Sequence, residues 1–127
     1  MDKEKFQVEY IFANAAKTSL WNYISTASGL SEWFADKVII KDDVFIFIWD
    51  ELPTRALCIE SIPQSFIRFR WEDETNEEIY FEFRVEKIEL TGGVYLQVTD
   101  FCKKYELDAS ISLWNSEIKT LKRILGI

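Results

Sequence analysis

The C-terminal segment constrains the fold more than any other stretch. Leu107, Ile111, Trp114, Ile118, Leu121 and Leu125 recur at intervals of 4, 3, 4, 3 and 4. That spacing draws one unbroken apolar stripe along a helix from about Tyr105 to Leu125. Asp108 near its start and Lys119, Lys122 and Arg123 near its end oppose the helix dipole. A helix of about 20 residues is roughly 30 Å long. Only an equally long apolar surface can cover its stripe.

The preceding residues supply that surface. From residue 37 to 101 the pattern is strand after strand: KVIIK, VFIFIWD, TRALCIESI, SFIRFRW, IYFEFRVEKIEL and VYLQVTDF. Ile67, Phe69 and Trp71 alternate with Arg68 and Arg70, and Ile79, Phe81, Phe83 and Val85 with Glu82, Arg84 and Glu86. Period-two alternation marks strands with one face covered. Asp42-Asp43 and the acidic EDETNEE run read as turns, and TGG at 91–93 as a tight hairpin. TRALCIESI is expected to run between Pro53 and Pro63. VFIFIWD is apolar on both faces, so its outward set, taken as Phe45, Phe47 and Trp49, is a candidate contact surface. Short turns between successive strands predict an antiparallel meander.

Ahead of the meander, Phe6, Val8, Tyr10 and Phe12 alternate as a first strand. Leu20, Trp21 and Ile24 then take helical spacing, with Thr18 or Asn14 as the expected cap. SGL ends that helix or bends the chain. Leu30, Trp33 and Phe34 restart a helical turn, capped by Ser28 or Ser31. The fold class is therefore α+β: a helix-grip, with a curved antiparallel sheet of about six or seven strands wrapped around a long C-terminal helix and two short helices after the first strand. At 127 residues, a single domain spanning 1–127 is expected.

Composition narrows the function. The net charge of −7, without a basic run, argues against nucleic acid. No apolar run approaches the ~20 residues of a membrane span. The opening MDKEKFQVEY lacks the apolar core of a signal peptide, so a cytoplasmic location is expected. Cys58 and Cys102 fit no zinc or redox spacing and read as free thiols. Histidine is absent, which removes the commonest general base and metal ligand. No metal or other cofactor is expected. The chain reads as a binding module rather than an enzyme; an enzyme would depend on Asp100, Tyr95 or Tyr80, and nothing in their spacing selects them.

Several short motifs carry a resemblance. FANAAKTSLWNYISTASGLSEWFA holds Leu20-Trp21 and Trp33-Phe34; IPQSFIRFRW ends a strand in aromatics; QVTDF carries Thr99; and the last helix carries Trp114 and TLKRIL. In this order they resemble the START-like, or SRPBCC, superfamily, and within it the branch of Hsp90 ATPase activator homologue domains. The loop CKKYELD departs from that pattern in lacking Gly and His. The resemblance implies a cavity between sheet and helix. The superfamily's ligands include lipids, polyketides and plant hormones, and some members are cyclases or aromatases.

The candidate ligand-binding residues are Trp33, Phe34, Trp71, Phe81, Phe83, Trp114 and Ile118. Large rings bury roughly 150–250 Å² each, so the same residues serve equally as core filling. The expected partner is a small hydrophobic or amphipathic ligand in a closed cavity. The alternative is a protein partner: a homodimer or a chaperone. Arg55, Arg68, Arg70 and Arg84 are expected to pair with Glu82 or Glu86 on the outer face.

Overall fold

The computed structural model describes residues 2–126. Seven strands form one antiparallel sheet: β1 (Glu4–Phe12), β2 (Lys37–Lys41), β3 (Val44–Trp49), β4 (Leu52–Ile62), β5 (Phe66–Trp71), β6 (Phe81–Lys87) and β7 (Val94–Cys102). Their order is β1-β7-β6-β5-β4-β3-β2, so β1 and β2 are the two edges. The short helices α1 (Lys17–Ser25) and α2 (Ala27–Trp33) carry the chain from one edge to the other. A single 3-10 turn, Lys104–Glu106, leads into α3 (Leu107–Ile124), which lies on the concave face. This is the expected helix-grip.

The alternation predicted for the strands sets what faces inward. Phe47, Phe69, Phe81, Phe83, Val85, Leu96 and Val98 are buried on the concave side with Trp114, Ile118 and Leu121 of α3. Leu107, Ile111 and Leu125, at the two ends of the helical stripe, are only half-buried. Register carries the pattern across the sheet: Phe83 sits opposite Ile67 on one side and Val98 on the other.

Several local expectations need correction. The outward residues of β3 are Val44, Ile46 and Ile48; Phe45 and Phe47 are buried and Trp49 packs on the core, because β3 pairs its phenylalanines in register with inward Val38 and Ala56. Neither Thr18 nor Asn14 caps α1, whose N-cap is Ala16 with no side-chain bond. The break between the helices falls at Thr26, whose hydroxyl accepts from Gly29 N at 2.9 Å and caps α2. Ser31 instead donates to the Ala27 carbonyl and accepts from Val38 N at 3.0 Å, covering one free edge amide of β2. Gly29 lies inside α2, where a Cβ would stand 2.2 Å from the Asn22 carbonyl oxygen; it is there because the two helices touch backbone to backbone.

The β6–β7 connection, 88–93, is wider than a two-residue hairpin, with Leu90 99% exposed. β4 begins before Pro53. Its register with β5 starts only at Ala56, so the missing proline N–H removes no ladder bond on that side. The turn at Asp50-Glu51 has both residues at positive φ, 48° and 67°, as a two-residue hairpin of the right twist requires.

On the convex face Arg68 donates from Nε and Nη2 to Glu82 Oε1 at 2.9 and 2.8 Å, and Arg84 Nε to Oε2 at 3.3 Å. The expected pairing with Glu82 therefore holds for Arg68 and Arg84, around a carboxylate only 3% exposed. It does not hold for the other two: Arg55 lies 3.9 Å from Glu72 and Arg70 donates to the Glu77 carbonyl. Both sit toward the β4–β5 end where Glu72 and the 72–78 turn are the nearer acceptors. Glu86 accepts from Tyr95 instead. Cys58 and Cys102 are free thiols.

Candidate functional site

The interior changes character along α3. Around Leu121 it is aliphatic, with Leu20, Ile24, Val85 and Leu96 fully buried. About two turns earlier, at Trp114, it is aromatic. Phe34 sits at the centre of that region. Its ring stacks on Trp114 at 5.8 Å and 9°, and meets Phe47 edge-on at 5.0 Å, Trp49 at 5.4 Å and Phe83 at 5.7 Å. Such offset and edge-to-face contacts add to the area buried. Trp33 beside it donates its indole N–H to the Tyr23 carbonyl at 2.7 Å, tying α2 to α1. The adjacent Trp-Phe pair thus seals the grip with both rings inward.

The seal is incomplete. In place of the expected closed cavity, whose volume Phe81, Phe83 and Ile118 fill, a solvent-open cleft of about 270 Å³ lies between α3 and the end of the sheet. It is lined by Phe34, Trp49, Trp71, Asp100, Ser110, Leu113, Trp114 and Glu117. A second depression of about 360 Å³ adjoins it, sharing Phe34, Trp49 and Glu117 and adding Ser31, Glu32, Trp33, Ala35 and Asp36. A larger hollow of about 540 Å³ beside Lys3 and Glu74 has no aromatic wall.

Of the residues singled out from sequence, Phe34, Trp71 and Trp114 line the cleft and Trp33 the adjoining depression. Phe81, Phe83 and Ile118 do not; they are buried at 1%, 0% and 1% exposure within the packed interior. Trp71 reaches the cleft because it ends β5, with its ring stacked on Phe81 at 4.7 Å. Trp49 ends β3 in the same way and donates its indole N–H to the Phe34 carbonyl at 2.8 Å.

Asp100 is the polar surprise. The inward positions of β7 read Val94, Leu96, Val98 and then Asp100, so alternation aims a carboxylate at the interior. Its Oδ2 accepts from Trp114 Nε1 at 3.0 Å and its Oδ1 from Phe101 N at 2.8 Å. Burial nonetheless holds its pKa above the ordinary carboxylate value, against these two bonds and the charge of Lys3. Glu117 is also raised, by burial alone. Tyr80 and Tyr95 lie away from the cleft: Tyr80 packs on Phe101 and under Arg68, and Tyr95 bonds Glu86. Ser110, Leu113 and Glu117 were not anticipated. With Trp114 they follow helical spacing, and they flank the apolar stripe on its sheet-end side.

No group of three or more potential metal-ligating side chains occurs among the described residues, and no helix is long and apolar enough to cross a membrane.

The full length, residues 1–127, matches the START-like superfamily domain. The chain belongs to the START-like superfamily. Among solved structures it is similar to BfR322 from Bacteroides fragilis, at 40% identity over 100% of this chain and 94% of that one, with a TM-score of 0.72. The Aha1 dimer from Colwellia psychrerythraea shares the fold at 13% identity, over 94% and 93% of the two chains, with a TM-score of 0.76. So does DynU16, a protein of the dynemicin biosynthetic locus, at 15% identity and a TM-score of 0.79; the match covers 96% of this chain but 47% of DynU16. A comparison with curated proteins found no match.

Proposed function

We propose that this START-like domain is a non-catalytic binding protein that holds a small hydrophobic or amphipathic molecule in the cleft beside α3. The observation that carries this reading is the cleft itself, an open space of about 270 Å³ walled by Phe34, Trp49, Trp71 and Trp114. Small-molecule sites are concave and mostly apolar, with a few polar groups to fix orientation. Here the polar groups are Asp100, Ser110 and Glu117. A bound apolar molecule would cover ring surface that the protein leaves in water. The setting we propose is the cytoplasm. Native mass spectrometry of the freshly purified protein tests the reading: a co-purifying small molecule, displaced when Trp71 is replaced by Ala, supports it. Bare protein that also takes up no member of an apolar probe set contradicts it.

A second reading has its own observation. On the convex face Ile39 and Leu57 are 41% and 44% exposed, and Ile39 lies in register with Ile46 on the outward side of β3. This patch fits a protein partner or a second copy of the chain. Sedimentation distinguishes the two occupants, with an Ile46→Glu variant as control.

A further inference from the structure

Resting on the proposal that the cleft binds a small molecule, we infer that its ligand is a hydrophobic cation: an amine or quaternary ammonium group carried on an apolar body. The inference comes from what lines the space and what does not. The cleft residues include two carboxyl groups, Asp100 and Glu117, and no lysine or arginine. The adjoining depression adds Glu32 and Asp36, again without a cation. Four carboxyl groups therefore border the cleft and the depression beside it, though Asp36 already accepts from Asp50 N.

The aromatic walls point the same way. A ring face carries the negative lobe of its quadrupole and attracts cations, indole most strongly. Three indoles, Trp49, Trp71 and Trp114, border the cleft. Two of them spend their N–H inward, Trp49 on the Phe34 carbonyl and Trp114 on Asp100, so they offer ring surface rather than a donor. A carboxylate or phosphate ligand would find little here to bind it; such sites are built with arginine forks, lysines or clustered backbone amides.

Among the described residues, Asp100 has hydrogen-bond donors but no cation within salt-bridge distance, and Glu117 has neither. Burial already raises the pKa of Glu117. Lys3, the cation whose charge reaches Asp100, is 3.3 Å from Glu74. A ligand cation entering the cleft would give both carboxylates the counter-charge the protein withholds.

Three probes of one size and shape test this: 3-phenylpropylammonium, 3-phenylpropanol and 3-phenylpropanoate, titrated against the intact protein at pH 7 and followed by tryptophan fluorescence. The ammonium is expected to bind roughly tenfold or more tighter than the alcohol, and the carboxylate weakest. Glu117→Gln is expected to narrow the ratio between ammonium and alcohol affinities severalfold, and a ratio unchanged in the variant contradicts the inference. If the alcohol or the carboxylate binds as tightly as the ammonium, the inference about charge fails and the apolar-ligand reading survives. If none of the three binds, the binding reading fails and takes this inference with it.

Discussion

At one end of the interior, Phe12, Leu96, Val85 and Leu121 are all wholly shielded from solvent and carry no polar atom in their side chains. At the other, Phe34, Trp49, Trp71 and Trp114 surround an open cleft that also holds Asp100 and Glu117. The same sheet and the same helix build both ends. The sealed end follows the rules of a stable core: apolar side chains, close packing and no buried charge. The mouth departs from them, with Trp49 and Trp71 left partly wet and two carboxyl groups whose charged forms burial disfavours. Local departures of this kind, set beside a well-ordered core, are where function concentrates.

Substitutions can break or sharpen this contrast. The largest loss of stability is expected from Phe34→Ala, which removes the ring shared by core and cleft; about 3–5 kcal/mol by denaturant unfolding fits a deleted core aromatic. Leu121→Ala at the sealed end is expected to cost about 2–5 kcal/mol while leaving probe affinity unchanged. A matching loss of affinity there would show that the two ends are not separable. Gly29→Ala is expected to cost about 1–3 kcal/mol, since the new Cβ would stand 2.2 Å from the Asn22 carbonyl and push α2 from α1.

Asp100→Asn should act in the opposite sense. The folded-state pKa of Asp100 is raised, so its charged form weakens the fold above that pKa and the penalty vanishes below the unfolded value of about 3.9. Asparagine keeps an acceptor for Trp114 without the charge. The variant is expected to melt slightly higher than the parent at pH 7. The difference should shrink as pH falls through the carboxylate range. A variant less stable than the parent at every pH would mean that the carboxylate serves the fold.

Much of the contrast was legible in the residues alone. The 107–125 stripe, the alternation of β5 and β6, and the inward Trp33-Phe34 pair are period-governed features, and all three stand in the structure. What the periods do not encode is position along a strand relative to the end of the covering helix. Phe81 and Trp71 share a face and stack on one another, yet only Trp71, at the end of its strand, reaches the cleft. The same gap hid Glu117, whose place beside the stripe looks like any solvated helix position until the sheet end is known. Asp100 was more readable. A carboxylate in the inward phase of Val94, Leu96 and Val98 is a conflict between pattern and residue type, and that conflict marks the cleft. The cap at Thr26 and the outward phase of β3 depended on register and backbone direction, which neighbouring strands and helices decide.

The central claim is that the aromatic mouth, and not the sealed end, receives a ligand. Indole N–H resonances test it most directly, because the five tryptophans divide between the regions: Trp49, Trp71 and Trp114 line the cleft, Trp33 borders the adjoining depression, and Trp21 is buried in α1. Titration with 3-phenylpropylammonium is predicted to shift the three cleft signals together, with one affinity, and to leave Trp21 in place. Shifts at Trp21 of the same size, or none at Trp71 and Trp114 at saturating probe, would contradict the account.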